Sequence, residues 1–161
     1  MKTSVRLRPA RPNEASVLSS MAMVSKAYWG YSAEFIEACH EELSVSSENL
    51  ASDKFSYFVA ESDGERVGYY ALKRVSDSEY ELDALFVVPE KIRTGIGRRL
   101  IEHAKKQVVT SGGSCLLIQG DPNATEFYLA AGCRLVGQRE SQSIPGRYLP
   151  LFIVNFEQTG G

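Results

Sequence analysis

One long amphipathic helix between two apolar strands constrains the fold of this chain most. Residues 80–88 have the pattern of a strand that Pro89 ends, and a helical pattern then covers residues 94–109. The apolar positions of that helix form one stripe, at Ile96, Leu100, Ile101, Ala104 and Val108. Gly112-Gly113 ends the helix, and the continuous apolar run 115–118 predicts a strand buried on both faces. A strand–helix–strand unit crosses over right-handedly, so its two strands are expected to be parallel.

Shorter patterns on both sides of this unit predict antiparallel strands and further helices. The segments 55–61 and 66–75, joined by Asp63-Gly64, predict a hairpin. Other strands are predicted over 4–8, 134–140 and 149–156, and other helices over 17–28, 33–43 and 123–131. The order βααβββαβαββ indicates an α/β fold of the mixed (α+β) kind, with one sheet and helices on both faces. Because we find no internal repeat and no linker, residues 1–161 are predicted to form a single domain.

Composition and charge exclude several classes of protein. With 43% hydrophobic and 24% charged residues, the chain has the composition of a soluble globular protein. Its net charge of −2 supplies no global positive field, so nucleic-acid binding is not expected and an anion would be captured locally. It has no run of about 18 apolar residues, and the basic start 1–8 lacks the apolar stretch of a signal peptide. Cys39, Cys115 and Cys133 have no close spacing, which predicts no disulfide scaffold, no zinc site and a cytoplasmic location.

The junction between the strand at 80–88 and the long helix carries Gly95-Ile96-Gly97. Glycines at a helix start let the backbone approach a ligand, and free N–H groups there favour an anion. Four cations lie close by in the sequence, at Lys91, Arg93, Arg98 and Arg99. A dinucleotide fingerprint would need a glycine at Leu100, and the Gly-Lys-Ser/Thr of a P-loop is absent. A coenzyme A pyrophosphate loop and a plain pair of helix-start glycines remain as alternatives.

Two stretches together resemble the core motifs of the GCN5-related N-acetyltransferase (GNAT) superfamily. They read ELDALFVVPEKIRTGIGRRLIEHAKK and, after it, DPNATEFYLAAGCRLVG, and the resemblance covers roughly residues 57–156. It implies a GNAT-like acyl-CoA N-acyltransferase fold, a twisted mixed sheet of about seven strands. In that fold strands 4 and 5 splay apart and admit the pantetheine arm of acetyl-CoA. The sequence departs from the family at Ile92, where Gln or Arg is frequent, and at Arg93, where glycine is common.

The same resemblance implies a set of residues that contact the coenzyme. Backbone groups of Phe86, Val87 and Val88 would bind pantetheine. The pyrophosphate would be surrounded by the loop of Ile92, Arg93, Thr94, Gly95, Ile96, Gly97 and Arg98. Asn123 and Tyr128 stand at the positions of the asparagine and tyrosine of the second motif, where the tyrosine can protonate the departing thiolate. Asn123 could also be a helix N-cap, a role compatible with contact to the coenzyme, and the alternative role of Tyr128 is a core aromatic.

Two carboxylates are candidates for the general base. Direct attack on a thioester needs a neutral amine, and a lysine-like amine with a pKa of ~10.4 is largely protonated near neutrality. Glu81 and Asp83 share one face of a strand because side chains alternate with period two. Glu81 matches the position of the glutamate base in the histone-acetylating branch of the superfamily, and its alternative is a solvated carboxylate. Asp83 is the second candidate, nearer to where the sulfur would lie.

The sequence therefore predicts an acetyl-CoA-dependent N-acetyltransferase. It would transfer an acetyl group to an amine of a small molecule or a protein by direct attack in a ternary complex. The alternative is a non-catalytic acyl-CoA-binding module that senses or regulates. The expected partners are acetyl-CoA as cosubstrate and an amine acceptor, with no metal, nucleic acid or membrane, and the family commonly forms homodimers. The acceptor wall is expected in loops 29–34 and 142–150, where Arg147 could meet an acceptor carboxylate or stay solvated.

Overall fold

The computed structural model describes residues 4–156 and contains one seven-stranded sheet in the order β1-β2-β3-β4-β5-β7-β6. The strands are β1 (Val5–Pro9), β2 (Phe55–Ser62), β3 (Glu65–Arg74), β4 (Glu79–Val87), β5 (Cys115–Gln119), β6 (Arg134–Glu140) and β7 (Tyr148–Asn155). β4 and β5 are parallel, as the helical connection between them predicts, and the other neighbours are antiparallel. The predicted mixed sheet is confirmed.

Six helices cover the two faces of this sheet. They are α1 (Ala15–Ala27), α2 (Ala33–Ala38), α3 (His40–Leu43), α4 (Ser47–Ala51), α5 (Ile96–Thr110) and α6 (Thr125–Ala130), with 3₁₀ turns at Pro12–Glu14, Pro89–Lys91 and Pro122–Ala124. The predicted stripe of α5 is its buried face and packs on strand residues such as Tyr70, Leu116 and Phe152. On the opposite face, Leu18 and Ala22 of α1 pack on the sheet. In the described part of the chain, no helix is long and apolar enough to cross a membrane.

Two sequence predictions differ from the observed elements. The helix expected over 33–43 is broken at Cys39, which leaves helical geometry at φ −93° and ψ 5° and is buried in the core. The strand expected to be buried on both faces is only half covered, because Leu117 is partly exposed while its neighbours Leu116 and Ile118 are buried. Among the described helices, α5 is the one that packs on β5. It covers the face of β5 that carries Leu116 and Ile118, and the face that carries Leu117 remains partly exposed.

The sheet opens between β4 and β5, which is where the resemblance places the splay. Residues 79–82 of β4 pair with residues 115–118 of β5. Beyond that point β4 runs on to Val87 with no strand partner on this edge among residues 4–156. The open edge therefore lies within the sheet rather than at its border.

A β-bulge in β4 lies at the start of this opening. Ala71 of β3 stands opposite Ala84, whereas the next residue, Leu72, stands opposite Leu82. Asp83 is therefore the extra residue of the bulge, and it is also the first residue of β4 beyond the pairing with β5. The bulge thus brings a carboxylate to the point where the two strands separate.

A fully buried carboxylate, Glu14 in the turn before α1, joins β1 to β3. Glu14 accepts hydrogen bonds from both terminal nitrogens of Arg8 at 2.8 Å, from Nε of Arg66 at 2.5 Å and from the backbone N–H of Arg11 at 2.6 Å. These bonds, the one from Arg8 foremost, hold the pKa of Glu14 well below its usual range. The side chain therefore remains ionised inside the protein.

Candidate active site

Asp83 and Glu81 lie on the same face of β4, but their surroundings differ. The carboxylate of Glu81 forms an ion pair with Arg139 of β6, whose Nε also donates to Oε1 of Gln119 at 2.8 Å. This chain of contacts crosses from β4 to β6 over the narrow end of the opening. Asp83 takes part in no ion pair or side-chain hydrogen bond within residues 4–156. Within residues 4–156, the carboxylate of Glu81 is therefore held by Arg139, whereas the carboxylate of Asp83 is free to interact with a ligand.

The electrostatic environment of Asp83 favours a carboxyl that can exchange a proton. Desolvation raises its pKa, and the carboxylates of Glu81 and Glu42 raise it further, whereas the ammonium of Lys73 lowers it. Asp83 is nevertheless exposed to solvent. Glu42 and Lys73 carry no motif and come from other elements, so sequence reasoning missed both.

The predicted acid, Tyr128, lies in α6 with its ring in the core. The ring packs 5.1 Å from that of Phe127 and 5.3 Å from that of Phe152, between centroids, and a Cβ at Gly120 would lie 3.0 Å from it. Burial raises the pKa of Tyr128, so the phenol stays protonated. Within residues 4–156 no group forms a hydrogen bond with the Tyr128 hydroxyl. In the same residues, every side-chain nitrogen or oxygen that is fully shielded from solvent has a hydrogen-bond partner. The hydroxyl therefore keeps a path to solvent, and the core role and the acid role are compatible.

Asn123 lies beside Asp121 in the turn before α6. Its Nδ2 donates to Oδ1 of Asp121 at 2.8 Å and to Oη of Tyr31 at 3.1 Å. Its backbone N–H also donates to Oδ1 of Asp121, at 2.8 Å, so Asp121 is the cap of this turn. The alternative role of Asn123 as a helix N-cap is therefore wrong, because Asp121 caps this turn and the cap position of α6 is Ala124.

The loop before α5 presents a row of free backbone N–H groups. Within residues 4–156, no acceptor is bonded to the N–H groups of Arg93, Gly95, Ile96, Gly97 and Arg98. The first hydrogen bond at this end of the helix runs from the N–H of Arg99 to the carbonyl of Gly95 at 3.1 Å. Five donors at the positive end of a helix form a cradle for an anion such as a pyrophosphate.

Backbone conformation explains the residue preferences of this loop. Gly95 has φ +90°, and Arg93 has φ +68°, a conformation that glycine adopts at no steric cost. This is why glycine is common in the family where Arg93 stands. Ile92 and Thr94 offer no free N–H, because their amides donate to the carbonyls of Pro89 and Lys91.

Arg98 and Gly97, two of the residues predicted to contact the pyrophosphate, also contact α6 and its C-terminal end. The Arg98 guanidinium donates to the carbonyl of Ala130 at 2.8 Å and pairs with Glu102 at 3.1 Å, so only its backbone N–H faces the cradle. A Cβ at Gly97 would lie 3.1 Å from the ring of Phe127. This glycine therefore permits the close approach of α5 to α6, in addition to its free N–H.

Only alternate residues of the open edge of β4 have backbone groups available to pantetheine. The N–H of Val88 donates to the carbonyl of Val67 at 2.9 Å, and its own carbonyl accepts from the N–H of Lys91 at 2.9 Å. Val88 therefore has no free donor, and the alternation of an antiparallel ladder turns the backbone of Phe86 toward β3 as well.

By the same alternation, the backbone groups of Leu85 and Val87 point to the open edge. The Val87 carbonyl accepts a hydrogen bond from Oγ of the buried Ser25 at 2.9 Å, which ties α1 to the end of β4. Of the three residues predicted for pantetheine, Val87 is thus the one whose backbone faces the opening. Leu85 joins it, and the two-residue period of a strand is the signal that identifies it.

The two loops predicted to form the acceptor wall meet at a polar cluster. We call this set the bridge cluster: Lys26, Tyr31, Asp121, Asn123 and Arg147. Tyr31 donates from its hydroxyl to Asp121 at 2.9 Å and accepts there from Arg147 at 2.9 Å, while Lys26 forms an ion pair with Asp121. The bridge cluster joins the loop after α1, the turn before α6 and the loop between β6 and β7.

A family model described as the acetyltransferase (GNAT) domain matches residues 15–143, which is well over half of the chain. The chain belongs to the GNAT family. No curated protein matches this GNAT chain.

Solved structures share the GNAT fold at low sequence identity. A GCN5-related N-acetyltransferase from Rhodopseudomonas palustris has a TM-score of 0.78 and 23% identity, over 97% of this chain and 99% of that one. The PaiA N-acetyltransferase from Thermoplasma acidophilum, solved with coenzyme A, has a TM-score of 0.76 and 18% identity, over 95% and 99%. The ribosomal-protein-S18-alanine N-acetyltransferase from Escherichia coli has a TM-score of 0.73 and 16% identity, over 98% and 97%. These likenesses confirm the fold expected from the sequence.

Proposed function

We propose that this GNAT protein transfers an acetyl group from acetyl-CoA to a primary amine by direct attack in a ternary complex. The observation that carries the proposal is the row of five free N–H groups from Arg93 to Arg98, at the mouth of an opening in the sheet. Such a row fits the pyrophosphate of the coenzyme, and the free edge of β4 leads from it toward Asp83. The thioester supplies an activated acyl carbon, so the protein needs no nucleophile of its own.

Asp83 is the general base in this proposal, ahead of Glu81. Glu81 is already engaged by Arg139, whereas Asp83 has no ion pair within residues 4–156 and its pKa is raised toward the range in which a carboxylate accepts a proton effectively. When the amine nitrogen bonds to the acyl carbon, Asp83 takes the proton that the nitrogen releases. Asp83 therefore lowers the free energy needed to deprotonate an acceptor amine that is protonated in solution.

Tyr128 supplies a proton to the leaving group. As the bond between the acyl carbon and sulfur breaks, the phenol donates to the thiolate, and solvent returns a proton to the phenolate through the open edge. Burial raises the pKa of Tyr128, which makes the phenol a weaker acid. The same burial would also raise the pKa of the coenzyme thiol beside it, so proton transfer from the phenol to the thiolate remains feasible.

A panel of amine acceptors tests the proposal. Purified protein is incubated with acetyl-CoA and with small amines, amino acids, polyamines or peptides, and free thiol is measured over time. We expect acceptor-dependent release of thiol and a matching acetylated product by mass spectrometry. Tight binding of coenzyme A without turnover of any acceptor would favour the non-catalytic binding module instead.

A further inference from the structure

The bridge cluster holds an arginine in a fixed orientation with most of its donors unused. The Arg147 guanidinium lies 4.7 Å above the ring of Phe35 and 5.2 Å from that of Tyr31, and these two rings stack on each other at 4.3 Å. Its Nη2 donates to Oη of Tyr31 at 2.9 Å. A planar guanidinium held between rings and a hydroxyl loses little freedom when a ligand binds.

The charge of Arg147 is not fully matched inside the protein. The nearest carboxylate, Asp121, stands 3.9 Å away and is already engaged by Lys26, Tyr31 and Asn123. One of the five N–H groups of an arginine is used in the side-chain hydrogen bonds of residues 4–156. No buried polar side-chain atom in this part of the chain lacks a partner, so the remaining donors reach solvent. The side chain itself is 20% exposed.

The position of Arg147 relates it to the acceptor rather than to the coenzyme. The loop that carries it also donates a hydrogen bond from Oγ of Ser143 to Glu42 of α3, at 2.6 Å. Ile144 of this loop packs in the same apolar cluster as Leu43 of α3 and Ala84, the residue of β4 that follows Asp83. This region thus has the positive charge of Arg147 on one side and the carboxylates of Glu42 and Asp83 on the other.

We propose that Arg147 binds the carboxylate of a small acceptor that carries both an amine and a carboxylate, as an amino acid does. The guanidinium has the fork geometry that a carboxylate matches with two hydrogen bonds, and Asp83 lies on the acidic side where an amine belongs. The contact between Tyr31 and Arg147 closes the space between two loops, which favours a small acceptor over a folded protein. This inference rests on the proposed transferase function.

Matched acceptor pairs test the inference. The standard L-amino acids carry a carboxylate that their carboxamides lack, and because the carboxamides also have the less basic amine, the two are compared at several pH values. We expect wild-type kcat/KM to be at least tenfold higher for the preferred amino acid than for its carboxamide. In Arg147→Gln we expect KM for that amino acid to rise about tenfold or more, with kcat and KM for acetyl-CoA nearly unchanged and the carboxamide little affected.

Arg134→Gln is the matched control, since Arg134 is exposed on the same hairpin and makes no ion pair within residues 4–156. It should leave both acceptors unaffected, and thermal melts check the folding of each variant. If Arg147→Gln lowers activity equally for amino acid and carboxamide, Arg147 only clamps the loops and the inference is wrong. The same holds if the wild type prefers carboxamides or polyamines, although the transferase function then stands.

Calorimetry separates the two failures where no turnover is found. The amino acids and carboxamides are titrated into protein that already holds coenzyme A. Amino-acid binding that Arg147→Gln abolishes would support the inference while the proposed catalysis fails. The absence of binding by any amino acid, together with the absence of turnover, would overturn both.

Discussion

The hydroxyl of Tyr128 has no protein partner among residues 4–156, although the ring beneath it is packed into the core. Tyr128→Phe removes that hydroxyl and leaves the packing intact. We expect kcat to fall about 10²-fold or more, with affinity for coenzyme A and the melting temperature almost unchanged. Steady-state kinetics, calorimetry and thermal melts on one preparation measure all three.

Tyr70→Phe is the matched control for this change. The Tyr70 hydroxyl lies 2.7 Å from Nδ1 of His103, so its removal leaves a polar group without its partner. The control should therefore lower the melting temperature and leave kcat near the wild-type value. A Tyr128→Phe protein with the same pattern as the control would show that Tyr128 is a core aromatic only.

The pH dependence of the rate distinguishes Asp83 from Glu81. A base must be ionised to act, and the raised pKa of Asp83 moves the rise in kcat/KM to a higher pH than an ordinary aspartate would give. Asp83→Asn should lower kcat about 10²-fold or more and remove this rise. Rate profiles between about pH 4 and pH 9 provide the measurement.

Glu81→Gln is the matched control for Asp83→Asn, because it also replaces one carboxylate by an amide on the same face of β4. It breaks the ion pair with Arg139, so we expect lower stability and a pH profile that keeps its shape. If the rise of kcat/KM with pH disappears in Glu81→Gln and persists in Asp83→Asn, Glu81 is the base instead.

At the scale of elements, the two ends of α5 carry glycines in the same conformation. Gly95 has φ +90° and Gly112 has φ +86°, and a Cβ at either position would meet nothing within 4 Å. Alanine at each should cost a similar amount of stability, about 1 kcal/mol, from the left-handed backbone alone. Only Gly95→Ala places a methyl group beside the cradle of free N–H groups.

We therefore expect Gly95→Ala to weaken coenzyme A binding about tenfold and Gly112→Ala to leave it unchanged. Calorimetry with coenzyme A measures the affinities, and melts confirm that the two stability losses match. Equal affinities in the two variants would contradict the assignment of the loop as a pyrophosphate site.

Local patterns predicted the elements, but not every boundary between them. The stripe of α5 and the apolar strands each repeat over many residues, so they are visible in the sequence. The break at Cys39 depends on a side chain that turns into the core, which helical spacing alone does not reveal. The short α4 was missed because it has five residues, and its one signal is the cap in which Ser46 accepts from the N–H of Asn49.

The candidate site was predicted only as far as its motifs reach. The motifs pointed to Glu81 as the base, with Asp83 as the second candidate, and to Tyr128 and the glycine loop. The ion pair of Glu81 with Arg139 joins residues 58 positions apart, and the contact of Tyr31 with Arg147 joins residues 116 apart. Such contacts depend on how loops pack after folding, and no periodicity encodes them.

At the scale of the whole molecule, Glu14 couples the N-terminal segment to the sheet. Its pKa is lowered in the folded state, so it stabilises the fold above the unfolded pKa of ~4.3. That contribution is lost progressively as the pH falls below this value. Glu14→Gln leaves Arg66 without its charge partner and Arg8 with Glu61 as its one remaining charge partner among residues 4–156, and we expect a loss of about 3 kcal/mol at neutral pH.

Denaturant unfolding of wild type and Glu14→Gln between about pH 7 and pH 3 measures this effect. The difference between the two proteins should shrink as the pH falls, because protonation of Glu14 in the unfolded wild-type chain removes the stabilisation that its charge gives the folded protein. Glu61→Gln is the control, since Glu61 pairs with Arg8 nearer the surface. A difference that stays constant with pH would show that the loss comes from packing rather than charge.

Unpaired strand edges usually invite aggregation, because a second chain can add a strand to them. The free edge of β4 is different, since β5 diverges on its other side and encloses it within the sheet. A neighbouring protein strand would have to enter between two strands that are joined at one end. A narrow ligand with amide groups of its own meets no such barrier, so the fold presents unused backbone hydrogen bonds to small molecules while withholding them from other copies of itself.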